Sequence, residues 1–276
     1  MPKRISRQQL EEMESALSDR DKSILNSILE YRYLTTDQLR RLFFTNHASC
    51  SAALKATSRG LNKLKGLGLI RNTDRRIGGI RSGSGSYIWQ LETAGHHLLR
   101  LNGSKTRPHP KRFEPSLYFL VHMLTVAECY IRFHEICGKR GLKLTAIQNE
   151  PENWRQYNSG GKIVILKPDL FVITMCDDYE DRWFFEIDMD TESPIRIIEK
   201  CQRYHDYYRS NLEQKQHGVF PMVVWIVPDA ERKETVTGHI KAEFSKQPKI
   251  FAAITLEELE PLICQGADGA GGITLC

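Results

Sequence analysis

The chain has 276 residues, with 39 Lys+Arg against 34 Asp+Glu and a formal charge of +5. At about 100–200 residues per domain, that length points to two modest domains with room for real hydrophobic cores. The 41% hydrophobic and 26% charged fractions exclude wholesale disorder, collagen and a disulfide scaffold.

The mild net charge hides an asymmetry. Residues 1–112 carry 21 Lys+Arg and 9 Asp+Glu, a net of +12, and residues 113–276 carry 18 and 25, a net of −7. A basic half joined to an acidic half is expected when one half meets a polyanion. Met1–Ser15 is polar and lacks an apolar signal-like stretch. Val219–Val227, the longest apolar run, contains Pro221 and is far below the ~20 residues of a membrane span. The seven cysteines form no CxxC pair, so neither a disulfide framework nor a structural zinc site is expected. Cys201/His205 and His134/Cys137 have helical spacing, but two ligands do not make a metal site. The expected compartment is a reducing cytoplasm.

After an N-terminal arm (1–17), Ser18 caps a helix with apolar Ile24, Leu25, Ile28 and Leu29. A short extended link, Tyr33-Leu34-Thr35, precedes a second helix capped by Thr36, from Asp37 to about Phe44. A third helix, roughly Cys50 to Leu67, carries the stripe Leu54, Thr57, Leu61 and Leu64 and stops at Gly66 and Gly68. Leu69–Arg71 is a strand candidate, Asp74–Ser86 a Gly/Ser loop with Arg75, Arg76 and Arg81, and Tyr87–Leu91 a returning strand. Thr93 opens a further helix through Leu101. This order is that of a winged helix-turn-helix over residues 18–101. On its third helix Lys55, Arg59 and Lys63 recur at i, i+4 and i+8, away from the apolar stripe. That face suits a major groove, and the loop arginines suit phosphates or the minor groove of double-stranded DNA. The competing reading is a solvated basic face on a winged helix used for protein contacts. A winged helix of this kind often dimerises on paired half-sites, so a homodimer is expected.

Residues 102–115, NGSKTRPHPKRFEP, read as a linker. The second domain spans 116–264. It opens with a helix from Ser116 to Cys137, with Gly138 and Gly141 as stops. Strands are expected at Leu142–Gln148, Ile163–Met175 and Trp183–Asp188, a helix at Ile195–Asn211 and a strand at Met222–Val227. Ile250–Ile254 and Leu256–Ile263 close the domain, and 265–276 form a glycine-rich tail. The αβββαβ order implies an α/β domain with a mixed sheet, so the chain as a whole is α+β or α/β in class.

Glu186 and Asp188 stand at i and i+2 of one strand, and Asp169 lies on its neighbour, all among apolar residues. Buried carboxylates need neutralisation. Mg²⁺ or Mn²⁺ bound by Asp169, Glu186 and Asp188 would supply it and could activate water against a phosphodiester. The alternative is a strand end that is solvated or paired with Lys167, Lys200 or Arg196. Pro168-Asp169 followed by Glu186-Ile187-Asp188 resembles the PD-(D/E)xK nuclease superfamily and its restriction-endonuclease-like fold. Asp188 stands where that pattern has lysine; Lys200 on the next helix is the substitute if that helix packs beside the strands, and without one the domain keeps the fold for binding only. The resemblance implies Asp169, Glu186, Asp188 and Lys200 as the catalytic set.

Winged helix, His122-Met-Leu-Thr-Val-Ala-Glu128, Pro168-Asp169, Glu186-Ile-Asp-Met-Asp-Thr191-Glu192 and the Lys200…Tyr204 helix together resemble the replication-relaxation protein family of conjugative plasmids and integrative elements. The likeness implies a DNA-processing role in plasmid replication, relaxation or transfer, with a relaxase or other plasmid-processing proteins as partners. The matching positions are His122, Glu128, Asp169, Glu186, Asp188 and Thr191, although helical spacing puts His122 and Glu128 on different faces. An active metal-dependent endonuclease and a transcriptional regulator with a non-catalytic C-terminal domain are the alternatives.

Overall fold

The computed structural model describes residues 6–73, 86–104 and 115–266, and the chain divides into two compact units, Met1–Ile131 and Arg132–Cys276. The loop arginines Arg75, Arg76 and Arg81, most of the 102–115 linker and nearly all of the C-terminal tail lie outside the described residues.

The first unit contains α1 (Arg7–Ser15), α2 (Asp19–Tyr31), β1 (Leu34–Thr35), α3 (Thr36–Phe43), α4 (Cys50–Gly66), β2 (Ile70–Asn72), β3 (Ile88–Leu91) and α5 (Thr93–Leu101). Helix α6 (Leu117–Arg140) begins in this unit and continues past Ile131. Ser6, Ser18 and Thr35 each close a capping box, with Gln9, Asp21 and Gln38 as the returning side chains, which satisfies helix N–H groups that would otherwise lack partners. Part of the stretch read as an arm is therefore a capped helix, and its Leu10 is buried.

Strands β1, β3 and β2 form an antiparallel sheet in that order. The core gathers Ile24, Leu25, Leu39, Leu61, Leu64 and Leu98. Each such side chain contributes about 1.5–3 kcal/mol on burial. Gly95 permits α5 to approach β2, because a Cβ there would lie 2.3 Å from the Leu69 carbonyl oxygen.

The second unit continues with β4 (Lys143–Asn149), β5 (Arg155–Ser159), β6 (Lys162–Leu166), β7 (Leu170–Cys176), β8 (Tyr179–Ile187), α7 (Pro194–Ser210), α8 (Leu212–His217), β9 (Met222–Val227), α9 (Ala230–Phe244), β10 (Phe251–Thr255) and α10 (Leu259–Gln265). A five-stranded mixed sheet runs β10-β9-β8-β7-β4. Pairs β8–β9 and β9–β10 are parallel, whereas β7–β8 and β4–β7 are antiparallel. Phe184 and Trp225 face α7 and α9, meeting Ile197, Tyr204, Val236 and Ile240 in one cluster. Phe185 points the other way, onto Phe133 of α6 at 5.2 Å between ring centroids.

The mixed α and β class is as expected, but the αβββαβ order is incomplete. The strand expected over Ile163–Met175 is two strands, β6 and β7, separated at Lys167-Pro168-Asp169. Proline lacks an N–H, and the break frees β6 to pair with β5 as a separate two-stranded ribbon. Helix α9 was not anticipated, and α6 continues through Gly138 to stop at Gly141, whose φ is +70°. Among the described residues no helix is long and apolar enough to cross a membrane.

Candidate functional site

Two regions carry the chemistry. In the first unit α3 and α4 are joined by residues 44–49, and Ser49 caps α4 through the Ala52 N–H. The buried face of α4 is Ala53, Thr57, Leu61 and Leu64. Leu54 is 43% exposed, so the buried stripe begins at Ala53 rather than at the expected Leu54, while Thr57, Leu61 and Leu64 are buried as expected. This leaves Leu54, Lys55, Ser58, Arg59 and Asn62 on the exposed face.

Three basic residues were expected on that face, and they have different roles. Lys55 and Arg59 are exposed and have no ion-pair partner among the described residues. Lys63 donates to Asp21 Oδ2 at 2.7 Å and to the Ala16 carbonyl at 3.3 Å, tying α4 to the start of α2. Burial works to raise the Asp21 pKa, but Lys63 and the Ser18 hydrogen bonds outweigh it and hold the carboxyl below its ordinary value.

Glu128 also has a structural partner set. It accepts both Arg41 hydrogen bonds, at 2.7 and 2.9 Å, and one from Gln38 at 3.3 Å. Gln38 also donates to the Leu124 carbonyl, so α6 is clamped to α3 by a bidentate ion pair and a buried amide.

In the second unit Asp169, Glu186 and Asp188 cluster where β7 begins and β8 ends. The Asp169 N–H donates to the Phe185 carbonyl at 3.0 Å, and Asp169 Oδ2 accepts the Ile187 N–H at 2.7 Å. The buried Asn153 amide donates to the Pro168 carbonyl at 2.6 Å and fixes this turn. Glu186 is almost fully buried. Its Oε2 accepts from Lys200 Nζ at 2.8 Å, and its Oε1 from the Tyr204 hydroxyl at 2.5 Å.

Lys200 also meets Glu192 Oε1 at 2.6 Å. The expected neighbourhood of Lys200 and Glu186 is thus present. Burial raises the Glu186 pKa above the carboxylate range; Lys200 opposes this and Asp169 adds to it. Burial works against the Lys200 charge, yet Glu186, Asp169 and Glu192 hold its pKa well above the ordinary amine value.

Asp188 follows a separate path. Its side chain is fully buried, with Oδ2 held by Arg232 Nε at 2.8 Å and Nη2 at 2.5 Å. Its Oδ1 accepts the Thr191 and Glu192 N–H groups at 3.0 and 3.2 Å. Arg232 also donates to the Glu192 carbonyl at 2.6 Å and pairs with Asp190 at 3.1 Å, locking the loop that presents Glu192 to Lys200. Arg232 was not identified from the sequence. It stands 44 residues beyond Asp188, on a helix that no local pattern linked to these strands.

Glu186 and Asp188 turn to different cations of the chain itself, Lys200 and Arg232. All four oxygens of Glu186 and Asp188 accept from donors of the chain itself. Glu192 Oε2 is buried without a hydrogen-bond partner among the described residues, and one orphan oxygen does not make a ligand set. Among the described residues no group of three or more His, Cys, Asp or Glu side chains is arranged to hold a metal ion.

The geometry therefore defines a two-unit α and β chain: an exposed cationic helix in one unit and an internally neutralised carboxylate cluster on a mixed sheet in the other. The Replication-relaxation family matches residues 25–223, and the chain belongs to that family. No curated protein matches it. Among solved structures the chain is similar to the restriction endonuclease FokI bound to DNA, at 13% identity and a TM-score of 0.26. The match covers 88% of this chain and 43% of that one, and at that score it carries nothing about the site.

Proposed function

We propose that this protein binds double-stranded DNA through a winged helix in its first unit and acts in replication, relaxation or transfer of a mobile element. The carrying observation is the exposed pair Lys55 and Arg59, with no ion-pair partner among the described residues, on the second helix of the α3–α4 pair. Helix α4 packs its apolar face inward and leaves a cationic, hydrogen-bonding face of groove dimensions outside. The order α2-β1-α3-α4-β2-β3 supports the winged-helix reading, and Arg75, Arg76 and Arg81 fall between the last two strands in the sequence. Family membership supports the replication or relaxation setting. A cytoplasmic location and plasmid-processing partners such as a relaxase are part of the same proposal.

The second unit, in this reading, is a nuclease-like module that works without a bound metal. Lys200 and Arg232 supply the positive charge that its carboxylates need. Two side-chain cations on a groove-facing helix contribute chiefly through phosphates, so charge reversal acts strongly. Lys55→Glu with Arg59→Glu lowers affinity for a labelled duplex about 100-fold at moderate salt, measured by fluorescence anisotropy. Unchanged affinity in a folded double variant overturns the α4 assignment. Nicking of supercoiled plasmid that needs Mg²⁺ or Mn²⁺ and is lost in Glu186→Gln overturns the metal-free reading of the second unit.

A further inference from the structure

The β5–β6 ribbon has two faces of different character. Tyr157 and Leu166 are buried on its inner face, and the Tyr157 hydroxyl donates to the Arg203 carbonyl of α7 at 3.1 Å. Arg155, also on that face, pairs with Glu213 at 2.9 Å. Strand alternation puts Trp154, Gln156 and Asn158 with Ile163, Ile165 and Lys167 on the opposite face.

All six are exposed, Ile163 at 76% and Ile165 at 37%. Lys167 Nζ stands 4.1 Å from the Trp154 ring centroid, and the Gln156 and Asn158 amides have no hydrogen-bond partner among the described residues. Gly160 and Gly161, both at positive φ, make the two-residue turn between paired Ser159 and Lys162.

Charge narrows the partner. Residues 154–167 contain Arg155, Lys162 and Lys167 and no Asp or Glu, within a half of the chain that is net acidic. Carboxylamides, aliphatic side chains and lysine on one side of a ribbon are the groups that read a major groove. Asn and Gln pair with adenine edges, aliphatic groups meet thymine methyls and lysine meets phosphate. A two-stranded ribbon fits that groove, and five residues per strand reach about 17 Å along it.

We propose that the outer face of the β5–β6 ribbon is a second duplex-DNA contact, seated in a major groove, with Gln156 and Asn158 toward base edges and Lys167 on a phosphate. It rests on the DNA-binding reading above and adds a second reading element to it.

The test uses the full-length chain and a labelled mixed-sequence duplex, together with selection from a duplex library with a randomised core. Lys167→Ala weakens binding about 3–10-fold and reduces the salt slope by about 1. Gln156→Ala with Asn158→Ala flattens base preference over a few neighbouring positions of the selected sites. Both variants keep the wild-type melting temperature, because the altered side chains are exposed. If wild-type chain binds no duplex, the DNA reading fails and the ribbon proposal with it. If Lys55→Glu with Arg59→Glu abolishes binding while every ribbon variant binds and selects like wild type, the ribbon proposal alone is overturned. A change in sedimentation of Ile163→Ser with DNA affinity unchanged also overturns it, since the face would then join copies of the chain.

Discussion

The α4 helix and the end of β8 use positive charge in opposite ways. On α4, Lys55 and Arg59 project from an exposed face and have no ion-pair partner among the described residues. At the end of β8, Lys200 and Arg232 serve the chain's own carboxylates, Glu186, Glu192 and Asp188. A cation that is paired and hydrogen-bonded at a buried carboxylate supports the fold, whereas an exposed one is available to a polyanion. Lys63 marks the boundary between these uses: it lies on the same helix as Arg59 but is bound to Asp21.

Breaking the buried pairs has the largest expected effect. Arg232→Met leaves the Asp188 carboxylate buried with no guanidinium, which costs about 3–5 kcal/mol in urea unfolding. A loss below about 1 kcal/mol would mean that Arg232 does not hold Asp188 in the folded chain. Next comes Glu128→Ala, which strips Arg41 and Gln38 of their shared acceptor and lowers stability by about 2 kcal/mol. The duplex affinity of that variant measures how far α3–α4 geometry depends on the clamp.

Lys63→Ala sharpens the comparison through pH. The folded Asp21 pKa is depressed, so its contribution is present above the unfolded carboxylate value and is lost as pH falls through the lower folded value. The variant loses about 1 kcal/mol at neutral pH, and its stability declines less on acidification than that of the wild type. An equally steep acid limb in both proteins contradicts the pairing. Ser193→Ala removes the hydroxyl that caps α7 and costs about 1 kcal/mol or less. The smallest expected effect is that of chelation: the melting temperature is the same in excess EDTA and in excess Mg²⁺, because the cluster is neutralised by side chains.

Local periodicity made much of this molecule legible. The three-helix run and the cationic spacing on α4 follow from residues three and four apart, and only the first member of the apolar stripe differs, Ala53 in place of Leu54. The proximity of Lys200 to Glu186 was readable because one strand end and the next helix hold both.

What escaped was long-range. Arg232 reaches Asp188 from a helix whose sequence has no metal-like or catalytic spacing. Glu128 reads from the sequence as either a family-motif residue or an ordinary helix residue, because its partners, Gln38 and Arg41, are 90 and 87 residues earlier. The ribbon is concealed because Ile163–Ile165 and Leu170–Ile173 are both apolar runs of strand-forming residues, and the intervening Pro168 reads as an interruption within one strand rather than a boundary between two sheets.

The central claim concerns Lys55 and Arg59, and salt dependence tests it most directly. Duplex affinity is measured across a salt series for the wild type and for Lys55→Ala with Arg59→Ala. Two lost phosphate contacts reduce the slope of log affinity against log salt by about 1.8 and weaken binding at every salt concentration. Identical slopes and identical affinities for the two proteins would contradict the account.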